Sequence, residues 1–182
     1  MSKLRKLVWV DCEMTGLNTL SDVIIEVCCI VTDEKLQPLA PQPYHSYIHQ
    51  SKSVMDGMNA WCVQHHGESG LTEAVLASKK KRQQVELELL AYVKEYCGQG
   101  EGLLAGNSVH MDRVFMAKDL PSVVDWLHYR IVDVSSIYEL VQMWNPKAAK
   151  GRPTKLKLHT AESDIMESIA ELAYYKDKIF HN

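Results

Sequence analysis

Residues Val23 to Thr32 read Val-Ile-Ile-Glu-Val-Cys-Cys-Ile-Val-Thr. A run this β-branched and this apolar predicts a central strand, bounded by Asp33 and interrupted by one carboxylate, Glu26. Around it the chain alternates short apolar runs with helical periodicity. Leu7–Val10 reads as a strand ending at Asp11, and Tyr44–His49 as a third strand, so the first fifty residues predict an antiparallel meander. Val54–His66 and Leu71–Ser78 read as short helices. Gln83–Tyr96 is amphipathic, with Val85, Leu89, Leu90, Val93 and Tyr96 on one face. A brief strand at Leu103–Ala105 runs into Gly106-Asn107-Ser108, followed by a helix over Asp112–Lys118, a strand over Tyr129–Val132 and a helix over Val134–Trp144. Asn145–Leu158 holds two prolines, a glycine and five basic residues and reads as a mobile loop. Thr160–Ile179 is the terminal helix, with Ile165, Ile169, Leu172 and Ala173 as its apolar stripe. No repeat or linker divides the pattern, which predicts one α/β domain over residues 1–182 with a mixed sheet.

Bulk properties exclude several classes. Hydrophobic residues make up 46% and charged residues 24%, ordinary globular usage, and no apolar run approaches the roughly 20 residues needed to span a bilayer. The start, Met1-Ser2-Lys3-Leu4-Arg5-Lys6, lacks the apolar core of a signal peptide. The cysteines Cys12, Cys28, Cys29, Cys62 and Cys97 are odd in number and form no CxxC pair, which argues for free thiols in a reducing compartment and against thiol-redox chemistry. The expected location is cytoplasmic; a mitochondrial one would need a presequence on a longer form. A net charge of −3 argues against a long nucleic-acid footprint and suits a substrate with few phosphates.

Asp11 and Glu13 sit at positions i and i+2 of the first strand, so both side chains point to one face. Two adjacent carboxylates repel, and a hard divalent cation is their natural counter-charge. Taken alone, an Asp-x-Glu is a solvated strand end. Asp112, after the Gly106-Asn107-Ser108 turn, is by itself a helix-start residue favoured by the dipole. Asp164 lies one turn into the last helix, and His159, five residues earlier, is by itself a surface histidine. The set is informative where its members are not.

Asp11-Cys12-Glu13-Met14-Thr15-Gly16-Leu17, Gly106-Asn107-Ser108 leading to Asp112-Arg113, and His159-x-Ala161-x-x-Asp164-Ile165 together resemble the DEDDh exonucleases. Within them the chain is similar to oligoribonucleases, with further likeness at Trp61, His128-Tyr129-Arg130, Asp133-Val134-Ser135 and Ala170–Tyr175. The resemblance implies a ribonuclease-H-like α/β fold, a mixed five-stranded sheet flanked by helices. It also implies 3′→5′ hydrolysis of short single-stranded RNA, especially dinucleotides, to 5′-mononucleotides. Asp11, Glu13, Asp112 and Asp164 would hold two divalent cations, Mg²⁺ or Mn²⁺, and His159 would be the general base. Leu17 would wedge between the two terminal bases, Trp61 would stack on a base, Ser108 would contact phosphate, and His66 would lie near the substrate. Tyr129, Arg130 and Ser135 would reach over from a second protomer to cap the 5′-phosphate, which implies a homodimer.

Two departures stand out. Ser163 precedes Asp164 where the family has a second aspartate, and Ile137 replaces a hydroxyl residue of the phosphate cap. The Lys79-Lys80-Lys81-Arg82 run reads as a solvated helix start, with a nuclear address or an RNA contact as alternatives. Two rivals stay open: a DNA exonuclease of the same superfamily, which shares all five catalytic residues, and a non-catalytic nucleotide-binding module.

Overall fold

The computed structural model describes residues 5–154 and 160–180. Five strands, β1 (Lys6–Met14), β2 (Ile24–Thr32), β3 (Tyr44–Tyr47), β4 (Gly102–Gly106) and β5 (Ile131–Asp133), form one sheet in the order β3-β2-β1-β4-β5. β1 pairs antiparallel with β2 and parallel with β4, so the sheet is mixed, as expected. All nine residues of β2 are buried, which is why this strand lacks the polar alternation of a half-exposed one.

Helices cover both faces. α1 (Lys52–Asp56), α2 (Ala60–Glu68) and α3 (Leu71–Ala77) precede the long α4 (Arg82–Tyr96); α5 (Val109–Asp119) and α6 (Pro121–Trp126) follow β4; α7 (Val134–Trp144), α8 (Pro146–Lys150) and α9 (Ala161–Tyr175) complete the set. The alternation along β1 sorts its side chains. Val8, Val10 and Cys12 pack with Val85, Leu89 and Val93 of α4 and with Phe115 and Met116 of α5. Trp9, on the opposite face, packs with Val141 of α7 and Ile165 and Ile169 of α9. By the same period of two, Asp11 and Glu13 belong to the α9 face. The Trp9 indole N–H donates to the Thr32 hydroxyl at 2.9 Å, so this buried ring is fully satisfied.

Several boundaries differ from the sequence expectations, each for a local reason. β1 continues to Met14, because pairing with β2 persists past Asp11 and Glu13. The single helix expected over Val54–His66 is two, broken at Gly57 and restarted by Asn59, whose side chain accepts from the Cys62 N–H. α6 was not anticipated; Pro121 opens it. Tyr129 and Arg130 precede β5 rather than belonging to it. The expected loop Asn145–Leu158 contains α8, for which Asn145 supplies the cap and Pro146 the first residue; 155–158 lie outside the described residues. The terminal helix changes to a π-helical turn over Lys176–Phe180, and its buried face carries Ser168, Glu171 and Tyr175, whereas Ala173 is exposed. In the basic run, Lys80 pairs with Glu88 at 2.7 Å and Arg82 donates to the Asp119 carbonyl at 2.8 Å, so half of it is engaged structurally.

Ser163 also has a structural role. It is the N3 residue of α9 and closes a reciprocal capping box with Thr160: its N–H donates to Thr160 Oγ1, and its Oγ accepts from the Thr160 N–H. The Ser163→Ala chain should lose about 1 kcal/mol of stability, a drop of roughly 2–4 °C in Tm. An unchanged melting temperature would show that the box contributes nothing.

Candidate active site

β1 and α9 together build the site. Asp11 and Glu13 project from the same face of β1, and Asp164 sits in the first turn of α9, which packs across β1 and β2. Ligand atoms of Asp11, Glu13 and Asp164 all lie within 4.8 Å of one another. Asp112, in the first turn of α5, is buried, and its Oδ1 accepts the Cys12 backbone N–H at 2.9 Å. The sequence reading placed it at a helix start for the dipole; the structure ties it to the β1 backbone between the two acidic residues. It stands outside the three-residue cluster but close enough to act on Asp11 electrostatically.

The electrostatics follow from this crowding. Burial, reinforced by Asp112, Glu13 and Asp164, pushes the Asp11 carboxyl well above the usual carboxylate range. Burial first, then Glu26 and Asp164, raises Glu13 to about 7. Burial raises Asp112 to about 7 against the opposing pull of the Cys12 N–H. Oxygen donors held this close suit a hard divalent ion. The donor set therefore fits the metal that the sequence implied. His159 lies outside the described residues.

The substrate-side residues are laid out around this cluster. Leu17 is 73% exposed on a turn built by Asp22, whose carboxylate accepts from Thr15 Oγ1 at 2.9 Å and from the Asn18 N–H at 2.8 Å. Gly16 is required there, since a Cβ would stand 2.5 Å from Asp22 Oδ2. Leu17, Met14, Glu13, Trp61 and His66 line an apolar cavity of about 410 Å³. Trp61 is 61% exposed and stacks on His65, with ring centroids 3.9 Å apart and planes at 18°. It is therefore a surface platform, not the core tryptophan that helical position alone would suggest. His66 is buried, and its Nε2–H donates to the Met14 carbonyl at 2.9 Å, linking α2 to the end of β1.

Ser108 adopts a left-handed conformation, φ 52°, uncommon for a residue with a side chain. Its N–H donates to Ser135 Oγ at 2.9 Å and to Asp133 Oδ1 at 3.0 Å, while Ser135 Oγ donates to Asn107 Oδ1 at 3.1 Å. Ser135 thus joins Ser108 within one chain, an internal role that the sequence reading did not include. Tyr129 and Arg130 are exposed, with the guanidinium 5.3 Å from the Tyr129 ring centroid. Ile137 is partly buried against the α7–α9 core. Sequence reasoning gave Glu26 no role. Its signal was available: Glu26 is the single charge inside the apolar β2 run, and it lies directly opposite Glu13 in the register.

An exonuclease family model matches residues 8–172. The Saccharomyces cerevisiae protein named oligoribonuclease, mitochondrial, is 53% identical over 180 residues, covering 95% of this chain and 67% of the yeast protein. The Homo sapiens protein of the same name is 45% identical, covering 98% and 75%. The Pseudoalteromonas atlantica oligoribonuclease is 44% identical, covering 97% of both chains. The chain belongs to the oligoribonuclease family. Among solved structures, exonuclease I superposes with a TM-score of 0.76 at 15% identity, covering 96% of this chain and 41% of that one. E. coli exonuclease I in complex with a dT13 oligonucleotide gives 0.74, also at 15% identity, covering 97% and 42%. These likenesses show the shared ribonuclease-H-like fold. The five cysteines are all buried and free, and no described helix is long and apolar enough to cross a membrane.

The raised carboxyls make stability depend on pH in a definite direction. In the folded chain Glu13 and Asp112 titrate near 7, against about 4 when unfolded. The folded state therefore holds more protons between those values. The stability these groups contribute is fully present below about pH 4 and is lost as pH rises through 7. Cation binding needs the ionised forms, so it works in the opposite sense. Thermal melts with Mn²⁺ and with chelator should show a metal-induced rise in Tm that is larger at pH 8 than at pH 6. A rise independent of pH would contradict this account of the carboxylates.

Proposed function

We propose that this chain is a 3′→5′ exoribonuclease that shortens RNA of a few nucleotides, dinucleotides above all, and releases 5′-mononucleotides. The observation that carries the reading is the convergence of Asp11, Glu13 and Asp164, with Asp112 beside them, at the edge of a cavity walled by Leu17 and Trp61. A binding module has no use for four crowded carboxylates that repel one another, whereas phosphodiester hydrolysis needs what they hold. Bound there, two divalent cations would neutralise charge on the scissile phosphate and make water a better nucleophile near neutral pH.

The chain's own residues would do the rest. Asp11, Glu13, Asp112 and Asp164 would fix the cations, and the pairing of β1 with β2 through Asp11 and Glu13 would keep those two from drifting. His159 would accept the proton of the attacking water, because a neutral imidazole is basic enough near pH 7. Trp61, backed by His65, would offer a π-face that tolerates any base, and Leu17 would insert beside it. Ser108 would contact phosphate.

Length selection would come from a second protomer, whose Tyr129, Arg130 and Ser135 would close over the 5′-phosphate. Two features support a homodimer. On α7, Leu140, Met143 and Trp144 are exposed, Trp144 by 76%, which gives the apolar face such an interface needs. Among the described residues no carboxylate pairs with Arg130, which leaves its guanidinium available to a phosphate.

Hydrolysis of RNA two, three, five and seven nucleotides long, with Mn²⁺ and with chelator, tests the reading. Metal-dependent turnover should be fastest on the dinucleotide. Activity that climbs with length would retain the chemistry and discard the cap; equal turnover of matched DNA would favour the DNA-exonuclease alternative. Asp11→Asn and Asp164→Asn should each lower kcat by about a thousandfold or more while the fold persists. Arg130→Ala should raise KM for the dinucleotide about ten- to a hundredfold, the effect of losing one charge-assisted hydrogen bond. An unchanged KM would remove Arg130 from the cap.

A further inference from the structure

Glu26 is 6% exposed in the middle of the sheet, at a position where an apolar side chain would be expected. The β1–β2 register sets it directly opposite Glu13. Like charges facing each other across an antiparallel pair destabilise a sheet, so Glu26 is poorly explained as a structural residue. Its environment points outward. Across β2 from Glu13, the His45 ring Nε2 lies 2.6 Å from Glu26 Oε1, and among the described residues this is the hydrogen bond that fixes the carboxylate. The side chain also lines a cavity of about 250 Å³ with Glu13, Trp61, His65, His66 and Leu71. This cavity lies beside the apolar slot of Leu17 and shares Glu13, Trp61 and His66 with it.

The Glu26 carboxyl, held at one oxygen by His45, presents acceptor oxygen to this cavity, which a ligand bearing hydroxyl donors would complement. One wall is an aromatic platform suited to a base, and another is a ligand of the candidate metal site. The part of a nucleotide between its base and its phosphate is the sugar, and a ribose at a 3′ end carries two donor hydroxyls. We propose that Glu26, held by His45, accepts a hydrogen bond from the 2′-hydroxyl of the 3′-terminal ribose and so makes the site prefer RNA ends over DNA ends. Glu26 is then a specificity residue; His45 positions it and does not meet the substrate. The inference rests on the exoribonuclease reading and adds to it the group that distinguishes the sugars, since the 2′-hydroxyl is what separates RNA from DNA at any one site.

The test compares two dinucleotides that differ only in whether the 3′-terminal residue is ribo or 2′-deoxyribo. The wild-type chain should favour the ribo end by about tenfold in kcat/KM, because a buried acceptor left unpaired penalises the analogue that lacks its donor. Glu26→Met, which keeps the length of the side chain but removes the acceptor oxygens, should reduce that ratio to near one, and His45→Ala should narrow it in the same direction. A simple loss of packing would lower both activities together and leave the ratio intact, which would overturn the assignment. Binding of AMP and dAMP to the wild-type chain with Mn²⁺ gives an independent readout that does not depend on any variant folding. Equal affinities would also overturn it. A wild-type chain that hydrolysed neither dinucleotide would instead refute the exonuclease reading beneath it.

Discussion

Carboxylates crowded at the end of β1, with ligand atoms of Asp11, Glu13 and Asp164 within 4.8 Å of one another and Asp112 beside them, are the constraint around which the site is organised. Asp11 and Glu13 come from a strand, Asp112 and Asp164 from two helices, and the neighbouring acids add to burial in making Asp11 and Glu13 harder to ionise. Only a scaffold with little freedom can hold such a set. β1 supplies it: the strand is hydrogen-bonded to β2 on one side and β4 on the other, and its apolar face is locked between α4 and α5. A divalent ion bound among them would relieve that repulsion, so the cost of crowding the carboxylates would become a source of metal affinity.

Position along β1 is fixed by the strand, but Asp164 depends on where α9 lies, and a polar network sets that. Beneath the helix, Asn107 Nδ2 donates to Ser168 Oγ at 2.8 Å, and Ser168 Oγ donates to the Asp164 carbonyl at 2.8 Å. One turn on, the buried Glu171 accepts from the Tyr175 hydroxyl at 2.8 Å and lies 3.4 Å from the Arg152 guanidinium, which in turn sits 3.8 Å from the Tyr138 ring centroid. A buried network of this kind specifies one arrangement, because any displacement leaves a polar group unpaired. The same Asn107 accepts from Ser135, which accepts from Ser108. The turn after β4, the start of α7 and the register of α9 are therefore connected through one side-chain amide.

This explains what the sequence revealed and what it concealed. β2 was legible because burial on both faces leaves a continuous apolar run, and α4 because Val85, Leu89 and Val93 repeat at helical spacing. The site was legible as a pattern, since spacing within β1 dictates that Asp11 and Glu13 share a face. Other features depended on contacts distant in sequence. Nothing near Asp112 announces that its partner is the Cys12 N–H, a hundred residues away. Ser168 and Glu171 read as the polar side of a helix because the groups that satisfy them, Asn107, Arg152 and Tyr175, lie partly on other elements. α8 was hidden by its composition: prolines and lysines suggest a loop, yet Asn145 and Pro146 are the residues that begin a short helix.

The comparison with exonuclease I locates where selectivity must arise. At 15% identity the sheet and its helices still superpose over 96% of this chain, so the fold by itself does not define what the site selects. Any selectivity for sugar or length would then come from groups around the carboxylates rather than from the carboxylates themselves. The candidates stand on separate supports: Leu17 on the turn held by Asp22, Trp61 on α2 against His65, Glu26 on β2 against His45, and Tyr129 and Arg130 ahead of β5. Leu17, Trp61, Tyr129 and Arg130 stand apart from the carboxylates and can change without altering their charges, whereas Glu26 faces Glu13 and acts on it directly. A site built in this way can keep one chemistry while the substrates it admits are set at its margins.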